Sequence, residues 1–372
     1  MKKYVTLGEV CKLNMGQSPD SSTYNDNGEG VPFYQGNADF GDIHPITAHW
    51  CTSPTKIAED GDILISVRAP IGALNIATER CCIGRGLAAI TVDSKVVSRD
   101  YIWYMLKSRV ATLQAMGTGS TFKAINKNVL NDMQFILPTL EEQREIALNL
   151  SKIDTVIRIC TDLMNKLDVL VKSRFVEMFG DPVTNPLKWN VKPVIDECEC
   201  MVPGRDKPKS FTGDIPWITI EDLIVNGITE KSKSGLGLTI DEIKEVNRKV
   251  IPVGSVIMSC VGNLGICSIA GQEMIINQQL HSFQCKEKIN NVYLMFNLTY
   301  RKDYMNKWAS NTTVLYMNKS ICNSIPIMLP PLALQEQFAA FVEKTDKSKL
   351  AVKQVLEKAE TLKKALMQEY FG

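Results

Sequence analysis

Leu137-Pro138-Thr139-Leu140-Glu141-Glu142-Gln143 opens a run to residue 178 that contains neither glycine nor proline after Pro138. Leu329-Pro330-Pro331-Leu332-Ala333-Leu334-Gln335 opens its second copy, 192 positions later. Without a gap, Thr121, Asn126, Lys127, Asn131, Ala147, Lys152 and Asp154 are answered by Thr313, Asn318, Lys319, Asn323, Ala339, Lys344 and Asp346. The match runs on to Phe179-Gly180 and Phe371-Gly372. Solenoid repeats have periods of roughly 20–50 residues, so this is a whole domain plus a long segment, copied once. Two similar halves suit a partner that is itself two-sided.

Each copied segment reads as a helix. Proline suits the first helical turn, where its missing N–H is no loss. Ile146, Leu150, Ile153, Ile157, Cys160, Met164, Leu167 and Val171 then step by four and three, a heptad seam whose first defect is Arg174. At 1.5 Å per residue such a helix is roughly 55 Å long. The second copy offers Phe338, Val342, Val352, Leu356, Ala359, Leu366 and Tyr370, but Thr345, Lys349 and Lys363 also fall on its seam. A seam so interrupted is expected to pack on the first helix rather than stand alone.

Before each helix the pattern is of short strands and turns. Gly61-Asp62-Ile63-Leu64-Ile65-Ser66-Val67 is a β-rich run bounded by glycine and by Pro70, and Gly254-Ser255-Val256-Ile257-Met258-Ser259-Cys260 is its counterpart. Asp100–Gln114 reads as a short helix. Gly180-Asp181-Pro182 stops the first long helix. The reading is α+β: two similar, mostly-β domains, 1–138 and 181–330, separated by long helices at 139–180 and 331–372, with a pseudo-twofold internal repeat.

Composition is that of an ordinary globular protein, 45% hydrophobic and 22% charged. No secretory h-region and no run of ~18 apolar residues stands out, which leads us to expect a cytoplasmic protein with no membrane partner. The 11 cysteines include no Cys-x-x-Cys pair and read as buried thiols of a reducing compartment. A net charge of +1 argues against nucleic-acid binding by charge alone, though base reading needs only a few placed side chains.

No catalytic constellation stands out. Asp214-Ile215-Pro216-Trp217 only faintly resembles a methyltransferase loop, and no phosphate-binding glycine loop is present. His44, His49 and Cys51 lie close in sequence but no second cluster completes a metal site, so we expect no metal. Polar, planar side chains instead gather at the turns of each half: Gln17, Ser18, Gln35, Asn37, Arg68, Arg85 and Lys123 in the first. In the second they are Arg205, Lys207, Lys209, Thr219, Asn263, Asn277, Gln278, Gln279 and His281. Arg, Asn and Gln can contact base edges in the major groove bidentately. Turns are polar in most proteins, but here the apolar frame is shared between halves while the turns diverge.

In order and in duplicate, these motifs resemble the specificity subunit of Type I restriction-modification systems. The resemblance is carried by Leu7-Gly8-Glu9-Val10, Gly61-Asp62-Ile63-Leu64, Ser66-Val67-Arg68-Ala69-Pro70-Ile71-Gly72, Gly84-Arg85-Gly86 and Gly119-Ser120-Thr121. Phe179-Gly180-Asp181-Pro182 adds to it, as do the lead-ins Leu137-Pro138-Thr139-Leu140 with Gln143 and Leu329-Pro330-Pro331-Leu332 with Gln335, of which the second matches the family's Pro-Leu-x-x-Gln pattern in full. Two departures stand out: Asn277-Gln278-Gln279 replaces Gly84-Arg85-Gly86, and Thr139 stands where the second copy has Pro331. The resemblance implies two target-recognition domains on double-stranded DNA, one per half of a split site. It implies that the helices pair as an antiparallel coiled coil, with Ile146, Leu150, Ile153, Ile157, Met164, Leu167, Phe338, Val342, Val352, Leu356 and Leu366 in the pairing seam. It also implies a non-catalytic chain joined by two methyltransferase (M) subunits and by restriction (R) subunits. S-adenosylmethionine, and ATP with Mg, are then expected on those partners rather than on this chain. A helix of this length would act as a ruler, so four residues added between Lys166 and Lys172 should lengthen the tolerated spacer. The competing reading is a coiled-coil adaptor that binds proteins and no DNA; a self-contained enzyme is a more distant third.

Overall fold

The computed structural model describes residues 4–119, 123–204, 206–311 and 314–372. Its contacts divide the chain into two compact units, Met1–Thr161 with Gln354–Gly372, and Asp162–Lys353. Each unit thus holds one domain together with the start of one long helix and the end of the other.

In the first unit, Cys11–Met15, Leu87–Val92, Ile63–Ser66 and Leu74–Ile76 form an antiparallel sheet in that order. Every residue of Ile63–Ser66 is buried, which explains why Ile63, Leu64 and Ile65 are apolar in succession rather than alternating with polar residues. A second sheet sets Val31–Tyr34 parallel to Cys81–Ile83, with Ile57–Ala58 at its edge. The second unit repeats the frame. Cys198–Met201, Leu280–Cys285, Val256–Ser259 and Cys267–Ala270 follow the same order, and Ile215–Ile218 runs parallel to Ile275–Ile276. Gly61 (φ +83°) and Gly254 (φ +80°) turn the chain into the buried strand of each sheet, a backbone conformation that favours glycine.

The expected helix at Asp100–Gln114 is two helices, Arg99–Ser108 and Val110–Met116, broken at Arg109. Tyr101, on the first of them, is fully buried and donates its hydroxyl to Ile136 O (2.7 Å). Tyr293 does the same in the second unit, donating to Met328 O (3.1 Å).

Both long helices span 40 residues, Leu140–Phe179 and Leu332–Phe371. Thr139 caps the first: its N–H and hydroxyl donate to Glu142 (2.8 Å each), and Glu142 N donates back to Thr139 Oγ1 (3.3 Å). A capping threonine and a proline are alternative ways to start a helix, which accounts for Thr139 standing where the second copy has Pro331.

The seam is legible in the burial pattern. Leu150, Phe338 and Val342 are buried; Ile146, Ile153, Ile157, Met164, Leu167, Val352, Leu356 and Leu366 are half-buried between exposed flanks. In the first unit Ile146 and Leu150 share a core with Leu366, Met367 and Phe371, and Asp154 pairs with Lys363 at 2.6 Å. Numbers rise along one helix as they fall along the other, so the two segments run antiparallel. In the second unit Asp168 pairs with Lys349 at 2.7 Å and Phe175 packs edge-on against Phe338 at 5.3 Å, again antiparallel. The two lysines that interrupt the seam are therefore each answered by a carboxylate of the other helix.

Phe175 and Phe179, absent from the seam as read from sequence, are fully buried against Tyr293. Phe371 covers Tyr101 in the same way, with ring centroids 5.2 Å apart.

Candidate nucleic-acid interface

Main-chain bonds converge several turns of the first unit onto one edge. Gly16 N donates to Leu87 O (2.9 Å), Gln17 N to Ile83 O (3.0 Å), Gly84 N to Tyr34 O (2.8 Å) and Gly86 N to Gln35 O (3.2 Å). Ser18 Oγ accepts from Gln35 Nε2 and from Arg85 N, both at 3.3 Å. A Cβ on Gly86 would lie 2.5 Å from Gln35 O, so the approach of these turns requires glycine there. The edge continues sideways, because Val67 N donates to Gly86 O (2.9 Å) and Ala69 N to Lys123 O (3.2 Å). Gln17, Gln35, Arg68, Arg85 and Lys123 are exposed, while Ser18 and Asn37 are half-buried. Asn37 opens a turn held by Asp39, whose carboxylate accepts from Gln35 N (2.6 Å) and Gly36 N (3.1 Å). These bonds link the turns that carry Gln17, Ser18, Gln35, Arg85, Arg68 and Lys123 to one another, and Asn37 follows Gln35 in the same turn.

In the second unit the corresponding turn is built by the same bonds. Asn277 N donates to Ile218 O (2.9 Å) as Gly84 N does to Tyr34 O, and Cys260 N donates to Gln279 O (2.8 Å) as Val67 N does to Gly86 O. Asn277 and Gln279 bond to each other twice, Asn277 Nδ2 to Gln279 Oε1 and Gln279 N to Asn277 Oδ1, both at 3.0 Å. Gln278 is the exposed residue of the three. Arg85 and Gln278 therefore occupy the same place in the two units.

These repeated frames accord with what known proteins show. Residues 2–169 and 186–361 match the family described as the Type I restriction modification DNA specificity domain. The chain belongs to that family. The two specificity domains also resemble curated relatives from Methanocaldococcus jannaschii. One, a putative type I restriction enzyme MjaX specificity subunit, is 48% identical over 42% of this chain and 37% of its own length. The MjaVIII specificity subunit is 25% identical over 85% of this chain and 79% of its length. The matched stretches span about half or less of the first two relatives, 37% and 50%. Among solved structures, the S subunit of a Type I system from M. genitalium superposes with a TM-score of 0.66 at 13% identity, covering 100% of this chain and 96% of that one. A chain from work on assembly and conformational transition of the type I R-M system gives 0.62 at 17% identity, covering 99% and 97%. At such identities the likeness speaks for the fold.

Not every side chain singled out in the second specificity domain reaches its edge. His281 is a correction: it is 1% exposed, hydrogen-bonded through Nε2 to Asn323 Oδ1 (3.1 Å) and packed edge-on to Phe283. Burial pushes its pKa down to about 4, so it is a neutral core residue near pH 7 and cannot reach a groove. It lies on the strand Leu280–Cys285, where the sheet faces the core. Thr219 is spent locally, donating its N–H and hydroxyl to Asp222 Oδ2 (2.7 and 2.8 Å). Asn263 is exposed, and its Oδ1 accepts from Lys302 Nζ at 2.9 Å, which adds a cation not foreseen. Lys207 and Lys209 are exposed; Arg205 lies outside the described residues.

Among the described residues no His/Cys/Asp/Glu group could hold a metal. His49 instead pairs with Asp26 (2.6 Å) and His44 with Ile76 O (3.0 Å). All 11 cysteines are free thiols, nine of them buried and two, Cys200 and Cys285, half-buried. No helix among the described residues is long and apolar enough to cross a membrane.

Proposed function

We propose that this chain is the non-catalytic DNA-specificity subunit of a Type I restriction-modification complex in the cytoplasm, reading a bipartite site with one half per domain. The observation that carries this reading is the pair Arg85 and Gln278: one turn, built by the same main-chain bonds, presents a different planar side chain in each unit. Arginine suits the O6/N7 edge of guanine and glutamine the N6/N7 edge of adenine. A constant frame with an exchanged reading residue is what recognition of two unlike half-sites requires. Family membership and the relatives' descriptions as specificity subunits support the same conclusion.

Recruitment falls to the helices. Leu148, Val156 and Ile159 lie exposed on the part of the first long helix that belongs to the first unit, outside the seam. Lone exposed apolar residues are unremarkable, but a row on one helix marks a docking face. Two M subunits carrying S-adenosylmethionine would dock there, and R subunits using ATP and Mg would join that core. The partners would share the phosphate contacts, which reconciles a net charge of +1 with tight binding.

Sequencing of modified bases in the host genome, with this gene intact and deleted, tests the reading. Loss of one bipartite methyladenine motif on deletion is the expected result. An unchanged methylome, with M subunits captured by the chain, would overturn DNA reading in favour of a protein adaptor.

A further inference from the structure

In each unit one side chain ties the loop that follows the first sheet strand to the rest of the frame. In the first domain Thr55 Oγ1 donates to Gln17 O at 2.6 Å. The second domain has Arg248 at that place. The equivalence is fixed three residues further on, where Ala58 pairs with Cys81 in one unit and Ile251 bridges Met274 in the other.

Arg248 does more than Thr55. Its Nε and Nη2 both donate to Asp206 O (3.2 and 2.6 Å), and Nη1 donates to Ile276 O (3.4 Å). Asp206 lies in the loop that carries Lys207 and Lys209, and Ile276 immediately precedes Asn277. One guanidinium thus spans the basic loop and the foot of the turn that holds Gln278. In the first domain that span needs no side chain, because Gln17 N donates straight to Ile83 O at 3.0 Å. Arg248 is 7% exposed and lies over the Trp217 ring at 5.2 Å, so it is held from below and withheld from solvent. A rigid planar fork with several donors can bridge two carbonyls at once, which an ammonium cannot do in the same geometry.

We propose that Thr55 and Arg248 are positioning residues for DNA specificity, one for each half-site, acting by fixing the loops that read bases rather than by touching DNA. The proposal rests on the DNA-reading function above. A reading side chain displaced by a fraction of an ångström loses its bidentate geometry, so slackening the tie relaxes discrimination at that half-site and leaves the other alone.

The test uses the full chain assembled with its methyltransferase partner. Thr55→Val, Arg248→Ala and Arg248→Lys are compared with wild type by the motif each methylates and by binding to sites mismatched in one half. T55V is expected to lower discrimination about tenfold at one half-site only, R248A at the other only, and R248K to fall between R248A and wild type. Thr55 is exposed, so T55V carries the test even if R248A fails to fold. A merely structural role would instead lower methylation of all sites alike, together with the melting temperature. Equal loss at both halves, an unchanged motif in T55V, or full specificity in R248K would each overturn the proposal. A wild-type complex that methylates no bipartite motif would overturn the underlying DNA reading instead.

Discussion

Ser98 N–H donates to Oε1 of Gln143 at 2.8 Å, and Asn290 N–H donates to Oε1 of Gln335 at 2.9 Å. Both glutamines are fully buried, and both turn their amide nitrogen on two carbonyls: Pro138 and Val96 in one unit, Pro330 and Lys288 in the other. A side chain at the first turn of each long helix therefore satisfies the main chain ahead of a domain helix. Buried polar groups must be paired, and here one carboxamide pairs three of them.

Gln143→Ala should leave the Ser98 N–H and two carbonyls without their partner inside the protein. An orphaned buried group costs roughly 1–3 kcal/mol, and local relaxation recovers part of it. We expect a loss of about 2–4 kcal/mol, with Gln335→Ala costing about the same. Denaturant titration of the two variants checks this; a loss within ~0.5 kcal/mol of zero, as for ordinary surface positions, would show that the bonds are not needed.

Arg85 and Gln278 predict separable effects on recognition. Replacing Arg85 by alanine should reduce discrimination at one half-site by about 1–3 kcal/mol per base pair read. Gln278→Ala should act on the other half-site alone. The methylated motif of each variant complex is the measurement, and a change in the same half for both would contradict one domain per half-site.

The seam lysines predict a coupling that depends on salt. Asp154 accepts from Tyr104 Oη (3.0 Å) as well as pairing with Lys363, and both charged side chains are 29% exposed. A double-mutant cycle of Asp154→Asn with Lys363→Met should give a coupling of about 1 kcal/mol or less, because solvent screens a pair this accessible. Raising the salt should diminish it further. A coupling indifferent to salt would mean that packing, not charge, sets this position.

His281 predicts acid sensitivity with a defined sign. Its pKa lies at about 4 in the fold against 6.5 unfolded, so between these values the unfolded chain binds the extra proton. Stability is therefore full above about pH 6.5 and is lost as pH falls toward 4, by roughly 3 kcal/mol in all. His281→Gln should lose this pH-dependent component while lowering stability near pH 7 only through imperfect packing. Melting curves of both proteins from pH 7 to 4 decide it; parallel curves would place the acid sensitivity elsewhere.

Much of this architecture was legible from residue order. A helix is a local structure with a fixed period, so the four-three spacing from Ile146 to Val171 and the absence of breakers marked the long helices directly. A repeat is a statement about sequence alone, and the alignment of Gly84-Arg85-Gly86 with Asn277-Gln278-Gln279 held in three dimensions because main-chain bonds in the turn do not depend on the side chains. Tertiary structure decided the rest. Whether a polar residue near a turn faces solvent depends on which strands pair around it, and that hid the burial of His281 and the mutual bonding of Asn277 with Gln279. Lys349 and Lys363 looked like faults in a seam because their partners, Asp168 and Asp154, stand far away in sequence on the other helix. Phe175, Phe179 and Phe371 belong to domain cores only because each helix end meets a tyrosine distant along the chain. Thr55 and Arg248 carry no motif; their role is a distance to a carbonyl, and distances between remote residues exist only once the chain has folded.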